Sequence, residues 1–258
     1  MSHISTINRL VGTALVTPTL GRFAARLFRD RIPHRGLVID TSSPLIQPGT
    51  KAALLCRAYE SAEYRFVQRY LLRDRNVLEL GGSLGIISCT IRRALDPAFK
   101  LVVVEADPRL ATILKRNLEL NRCDRGVVIE QCAIAYGTGE VSFSPGASSY
   151  AGKLAEAGSE GNVIRVPAMT LSALVARHDI GHFCLVSDVE GVEWQFLRED
   201  LGALAGASRI ILEAHDRAGY GSSDAFIEEL VDSGMFRLID RYGCVAVFDR
   251  VETGGRDA

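Results

Sequence analysis

The chain has 258 residues, of which 47% are apolar and 24% are charged, and its formal net charge is −1. These proportions exclude a largely disordered chain and predict one large folded domain, with or without an appendage. The near-neutral charge gives no support for nucleic-acid binding. Six cysteines are scattered without a pair at zinc-ligand spacing, so we expect reduced thiols, no structural zinc and a cytoplasmic protein.

The charge is unevenly distributed along the chain. Residues 1–35 contain six arginines and one acid and so carry +5, which leaves −6 for the remainder. Residues 20–28 suit an amphipathic helix that caps the main domain. The same basic segment could instead form a surface that contacts anionic lipid or an acidic partner. An alternating run at 36–40 predicts a small hairpin or lid, and we assign 1–58 to an N-terminal extension and 59–258 to the main domain.

From residue 59 onward, helical and strand patterns alternate. Helices are predicted over 59–73, 84–95, 108–121, 171–178, 192–204 and 224–233. Strands are predicted over 77–80, 101–105, 127–131, 183–187, 209–212, 236–240 and 244–249, with a loop after 131. This alternation predicts a mostly parallel sheet with helices on both faces, closed by an antiparallel pair of strands. The segment 145–161, rich in Gly, Ala and Ser, is expected to be a mobile loop over the site.

The first strand ends at Glu79 and runs into a turn that contains three glycines. The turn holds Gly81, Gly82 and Gly85, and a second strand ends in Glu105, followed by Ala106. Glycines allow a ligand to approach the backbone, and an acid one strand away can accept both ribose hydroxyls. The spacing lacks the G-x-G-x-x-G of dinucleotide sites and favours S-adenosylmethionine. Ala133, after the third strand, could lie against the adenine.

The later strands also end in groups that could carry chemistry. Asp188 follows the strand at 183–187, with Glu190 and Glu193 beyond it, and the next strand leads into Glu213 and His215. Ligands of parallel α/β sheets bind beyond the carboxyl ends of the strands, so these side chains are expected to face the glycine turn.

Several motifs together resemble the FkbM family of S-adenosylmethionine-dependent methyltransferases. The resemblance covers about 59–250 and rests above all on Asp188-Val-Glu-Gly-Val-Glu193. The other runs that carry it are 59–60, 79–85, 105–108, 117–121, 170–171 and 213–215. It implies a seven-stranded Rossmann-like fold and O-methylation of a hydroxyl, often on a sugar or natural product. The family usually has Asp at the position of Glu79, and it commonly has Lys at the position of Ser187. Residues 1–58 are not covered.

For such a reaction we expect Asp188 or His215 to act as the base, with Glu213 beside them, because neutral imidazole is available near pH 7. A variant places Mg²⁺ on Asp188 and Glu213, where it would acidify the acceptor hydroxyl. A nicotinamide-dependent oxidoreductase is a competing hypothesis that the glycine spacing disfavours. A non-catalytic cofactor- or partner-binding protein is another. Homo-oligomerisation and contact of the basic segment with a membrane surface stay open.

Overall fold

The computed structural model describes residues 16–137, 139–146, 153–154 and 163–251. The helices in these ranges are α1 (Pro18–Phe28), α2 (Pro48–Leu55), α3 (Ser61–Tyr70), α4 (Ile86–Ala94), α5 (Pro108–Leu120), α6 (Leu171–His178), α7 (Glu193–Glu199) and α8 (Ser223–Asp232), with a 3₁₀ helix at Leu201–Gly206. The strands are β1 (Arg31–His34), β2 (Leu37–Asp40), β3 (Asn76–Leu80), β4 (Leu101–Val104), β5 (Val127–Glu130), β6 (Ala133–Ile134), β7 (Glu140–Ser144), β8 (Lys153–Leu154), β9 (Ile164–Met169), β10 (Phe183–Ser187), β11 (Ala207–Glu213), β12 (Phe236–Tyr242) and β13 (Val245–Arg250).

The central sheet has seven strands in the order β12-β13-β11-β10-β3-β4-β5. The strands from β11 to β5 pair in parallel, whereas β13 is antiparallel to both β11 and β12. The predicted Rossmann-like sheet with an antiparallel C-terminal hairpin is therefore confirmed. Because β3 lies between β4 and β10, and β11 follows β10, the carboxyl ends of these four strands open on one edge.

Three adjacent strands of the sheet are apolar because both of their faces are covered. β3, β4 and β10 are buried along almost their whole length. One hydrophobic cluster, which includes Phe66, Ile87 and Leu114, lies on the side of α3, α4 and α5. A second, which includes Trp194 and Phe226, lies on the side of α7 and α8. Together the two clusters fix the strand ends that carry the site.

The N-terminal extension packs onto the main domain. β1 and β2 form the predicted hairpin, and α1 packs against α2. The hairpin is held to α5 by two side-chain amides: Asn117 Oδ1 accepts from the backbone N–H of Asp40 at 2.8 Å, and Asn121 Oδ1 accepts from that of Val38 at 2.9 Å. Apolar residues of the extension join the same cluster as α4 and α5. The domain boundary at 58 stays a prediction.

A second, smaller sheet corrects the expectation of a loop after β5. β6, β9, β7 and β8 form a four-stranded sheet in that order. β9 pairs in parallel with β6 and antiparallel with β7. Of the segment 145–161, expected to form a mobile loop, most lies outside the described residues. The smaller sheet places the side chain of Phe143 next to the carboxyl ends of the strands of the central sheet. Among the described residues, no helix is long and apolar enough to cross a membrane.

Candidate active site

A cavity of about 520 Å³ opens at the carboxyl ends of β3, β4, β10 and β11. Seven of the residues predicted to form the site line it, and the structure brings them together from four strand ends and β6. They are Gly81, Glu105, Ala106, Ala133, Asp188, Glu213 and His215. Glu79, Gly82 and Gly85 are not among the lining residues.

Gly81 joins the two halves of the cavity through backbone contact. It adopts a φ of +89°, and a Cβ at this position would lie 2.1 Å from the carbonyl oxygen of Asp188. The Asp188 N–H in turn donates to the carbonyl of Leu80 at 2.9 Å. A side chain at position 81 would therefore push apart the glycine turn and the loop after β10.

Close packing explains why the other two positions of the turn, 82 and 85, are glycines. A Cβ on Gly82 would lie 2.6 Å from Val103 Cγ1, and one on Gly85 would lie 2.9 Å from Leu114 Cδ1. The turn thus needs small residues so that β4 and α5 can approach it. Packing accounts for Gly82 and Gly85, and their role in cofactor binding stays a prediction.

Glu105 is buried and already oriented by the backbone. Its Oε2 accepts from the Ser83 N–H at 2.7 Å, and its Oε1 accepts from the Asp107 N–H at 2.8 Å. Each oxygen keeps a second lone pair for a ligand hydroxyl. Burial raises the pKa of Glu105 to about 7 against the opposing effect of these hydrogen bonds. Asp107, directly before Pro108, caps α5, and its side chain accepts from the backbone N–H of Arg109.

Apolar side chains line the cavity beside Glu105. Ala106 and Ala133 lie here with Leu110, Ile134 and Phe143. Phe143 belongs to β7, which the sequence interpretation missed, although the alternation of polar and apolar residues over 140–144 is a strand signal. This wall offers a flat apolar surface of the kind that an adenine ring requires.

The opposite end of the cavity is acidic. Asp188, Glu213 and His215 each contribute one carboxylate oxygen or ring nitrogen, and these three atoms lie within 4.8 Å of one another. His215 Nε2 lies 3.6 Å from Asp188 Oδ1 and 3.9 Å from Glu190 Oε2. The Asp188 side chain is 41% exposed, and its partial burial, opposed by the charge of His215, raises its pKa to about 6. Burial together with the nearby charge of Asp188 raises the pKa of Glu213 to about 7.

Glu193 fixes His215 and changes its expected protonation. One oxygen of this fully buried carboxylate accepts from the backbone N–H of His215 at 2.6 Å and lies 3.0 Å from its Nδ1. Nε2 is therefore directed toward Asp188. Burial lowers the pKa of His215, but the hydrogen bond to Glu193 and the surrounding carboxylates outweigh it and raise the pKa to about 9. The expectation of a neutral imidazole near pH 7 is wrong for the unliganded protein, because three carboxylates stabilise the imidazolium.

Two further acids were missed because they do not follow a strand. Glu60 and Glu63, before and within the first turn of α3, both line the acidic end. Burial, together with the charges of Asp188 and Glu63, raises the pKa of Glu60 well above its usual range. Only the turn-like run Tyr59-Glu60 ahead of the helix could have signalled them. The Tyr59 hydroxyl lies 3.0 Å from the hydroxyl of Ser83, which ties this segment to the glycine turn.

Glu79 lies behind the cavity rather than in it. Its side chain is 1% exposed, and among the described residues neither carboxylate oxygen makes a hydrogen bond of ordinary length. It borders a void of about 20 Å³ together with Ser187, Asp188 and Glu213. Burial raises the pKa of Glu79 to about 8. A direct contact with a cofactor is not shown.

A seven-stranded, mostly parallel sheet, a glycine turn after β3 and an acid after the neighbouring strand β4 define a Rossmann-like methyltransferase. Residues 79–238 match the model of the methyltransferase FkbM domain. Because the match spans more than half of the chain, the protein belongs to the FkbM methyltransferase family, as the resemblance predicted. No curated protein shows significant sequence similarity to it.

Solved methyltransferase structures are similar to this chain only at a coarse level. The O-methyltransferase of Bacillus cereus in complex with SAH is 13% identical, with 74% of this chain and 79% of that one covered and a TM-score of 0.43. The ribosomal protein L11 methylase of Lactobacillus delbrueckii subsp. bulgaricus is 10% identical, with coverage of 75% and 79% and a TM-score of 0.46. Similarities of this size say nothing about the substrate.

Proposed function

We propose that this protein transfers the methyl group of S-adenosylmethionine to a hydroxyl oxygen of a small molecule, such as a sugar or a natural product. The observation that carries the proposal is the division of one cavity into two chemically different ends. Glu105 and the apolar wall form one end, and Asp188 with the Glu193–His215 pair forms the other. Gly81 holds the two ends in contact.

The first end suits the adenosine part of the cofactor. Glu105 has two free lone pairs for ribose hydroxyls, and Ala106 and Ala133 lie in the apolar wall beside it. When bound, the cofactor supplies a methyl group on a positively charged sulfur. The Asp188 carboxylate, on the same cavity, favours a positive charge there.

At the second end, Asp188 is the base that we propose. With a pKa of about 6 it is ionised at pH 7, whereas His215, with a pKa of about 9, holds its proton. The acceptor oxygen attacks the methyl carbon while the carbon–sulfur bond breaks, and the hydroxyl proton passes to the Asp188 carboxylate. The His215 imidazolium, anchored by Glu193, orients that carboxylate.

A divalent cation is a second candidate for the acidic end. The donor atoms of Asp188, Glu213 and His215 are close enough together to coordinate one with small adjustments. Asp188 and Glu213 would hold Mg²⁺, which would acidify a coordinated hydroxyl. We favour metal-free transfer, because His215, whose Nδ1 is held by Glu193, already places its Nε2 3.6 Å from Asp188 Oδ1.

The charge of the cavity also bears on the acceptor. Glu60, Glu63 and Glu190 line the same end as Asp188 and Glu213, so a phosphate backbone brought there would meet five acidic side chains and only one base, His215. This arrangement supports a neutral or cationic small molecule rather than RNA or DNA.

The test is transfer of label from methyl-labelled cofactor to a panel of sugars, amino sugars, polyketide-type alcohols and total RNA. We expect O-methylated small molecules, full turnover in EDTA and loss of turnover in Asp188→Ala. Label in RNA alone would contradict the proposed acceptor class, and loss of turnover in EDTA would establish the metal route. Cofactor binding without any transfer that Asp188→Ala alters would show a non-catalytic protein.

A further inference from the structure

The outward face of α1 combines exposed apolar side chains with unpaired arginines. Phe23 and Leu27, one helical turn apart, are 60% and 59% exposed and are the two most exposed large apolar side chains in the described part of the chain. Arg22 and Arg26 are exposed beside them, and Arg29 and Arg31 follow at the end of the helix. In an ordinary surface helix this face would be polar.

The packing of α1 explains why this face cannot turn inward. Gly21 and Ala24 form the buried side of the helix, and a Cβ on Gly21 would lie 1.6 Å from the carbonyl oxygen of Pro48 in α2. With 100° between successive residues, Phe23 and Leu27 project about 160° and about 120° away from Gly21, so neither faces α2. The two side chains are therefore held in solvent by a close helix–helix contact.

The arginines of this face have no acid to neutralise them. Among the described residues, no ion pair is formed by Arg22, Arg26, Arg29 or Arg31, and Asp30 is paired with Lys51 at 2.6 Å. Asp30 is also the only acid in residues 1–39. The positive charge of the face is thus uncompensated, in contrast to the −6 of the chain beyond residue 35.

We propose that the α1 face formed by Arg22, Phe23, Arg26 and Leu27 binds an anionic lipid bilayer surface. An interfacial helix buries an apolar stripe at the boundary of the acyl chains, while flanking arginines reach the headgroup phosphates. The apolar stripe and the arginines of α1 have this arrangement. The eleven residues of α1 are too few to span a bilayer, so the contact is peripheral.

The test uses the full chain and flotation with vesicles of phosphatidylcholine alone or mixed with phosphatidylglycerol. We expect binding to the mixed vesicles only, weakened by added salt because the headgroup contacts are screened. The double variant Phe23→Ser, Leu27→Ser should bind at least about tenfold more weakly, since each methylene withdrawn from the acyl region lowers affinity severalfold. Arg22→Gln with Arg26→Gln should weaken binding and reduce its dependence on salt.

A matched control is the double variant Val231→Ser, Leu238→Ser, which removes two other exposed apolar side chains. It should bind vesicles as the unaltered protein does, and all variants should keep their affinity for S-adenosylhomocysteine. Equal binding to both kinds of vesicle, or no effect of the α1 substitutions, would overturn the proposal. Self-association that the α1 substitutions abolish, without vesicle binding, would assign the face to a second copy of the chain and also overturn it.

Discussion

The two ends of the cavity are built in different ways. The end that contains Glu105 is set by the backbone, because two N–H groups from the turns after β3 and β4 hold its carboxylate. The end that contains Asp188 is set by side chains from several elements, with Glu193 of α7 fixing His215 beyond β11. A backbone-defined end suits a cofactor of constant shape. A side-chain-defined end can change with the acceptor without changing the fold.

The largest effect is expected where the two ends meet. Gly81→Ala would place a methyl group 2.1 Å from the Asp188 carbonyl at a φ of +89°, and should lower the free energy of unfolding by about 3 kcal/mol or more. Thermal melts and calorimetry with S-adenosylhomocysteine should show both stability and cofactor affinity reduced. Gly202→Ala is the control, since no atom lies within 4 Å of its Cβ, and should change stability by about 0.5 kcal/mol or less. Equal melts for the two variants would show that the ends are not joined at Gly81.

Asp188→Asn should lower methyl transfer without weakening cofactor binding. The amide keeps the size of the side chain but cannot take the hydroxyl proton, so turnover should fall by roughly 10²- to 10⁴-fold. Affinity for S-adenosylhomocysteine should change by no more than about threefold. Asp216→Asn serves as the control, because Asp216 lies outside the cavity and its Oδ1 accepts from the backbone N–H of Ser223 in α8 at 2.7 Å. A variant that lost cofactor affinity in proportion to turnover would place Asp188 in the cofactor end.

Glu105→Gln should give the reverse pattern. Its amide nitrogen would face the N–H of either Ser83 or Asp107, so the ribose-binding geometry would be lost. We expect the Kd for S-adenosylhomocysteine to rise about tenfold, or about 1.4 kcal/mol, with turnover at saturating cofactor nearly unchanged. Glu119→Gln, on the exposed side of α5, should have no effect. A fall in kcat at unchanged Kd would contradict the assignment.

The stability of the unliganded protein should depend on pH in an unusual direction. The pKa values of Glu79, Glu105, Asp188 and Glu213 are raised to about 8, 7, 6 and 7, and that of His215 to about 9. The folded state therefore binds protons more tightly than the unfolded chain. The protonated acids contribute their full stabilisation of the folded state below about pH 4, and the His215 imidazolium contributes its own below about pH 6.5. Both contributions are lost as pH rises through the folded values, so Tm should fall between pH 5 and pH 9.

The isosteric variant Glu79→Gln should flatten this pH dependence, because it removes a buried carboxyl that lies outside the cavity. Melts at each pH, with and without S-adenosylhomocysteine, provide the measurement. A Tm that stayed constant or rose from pH 5 to pH 9 would show that these groups ionise at their ordinary values.

The fold and the strand-end residues could be predicted because they follow from local patterns. Continuous apolar runs such as 101–104 indicate buried parallel strands, and the ends of such strands share one edge. The sheet that contains β7 and β9 was missed, since residues 140–169 mix glycines, polar residues and Pro167 with short apolar runs. Residues 140–144 and 164–168 do alternate apolar with polar residues or proline, but these two short runs are separated by the Gly-, Ala- and Ser-rich segment, which favoured a loop.

The partners of the site residues were harder to predict than the residues themselves. Glu190 and Glu193 look equivalent in sequence, yet only Glu193 lies in the first turn of α7 and turns back to the backbone of His215. The raised pKa of His215 follows from that three-dimensional contact, so its protonation could not be read from the sequence. Glu60 and Glu63 reach the cavity from a helix N-terminus, where acids are usually only capping groups.

The pH dependence of kcat/KM for methyl transfer will show whether Asp188 removes the proton while His215 stays charged. We predict that kcat/KM rises with a midpoint at about pH 6 and is then level up to about pH 8, because only Asp188 must lose a proton. If kcat/KM instead keeps rising toward about pH 9, where His215 becomes neutral, then Asp188 is not the base and His215 is.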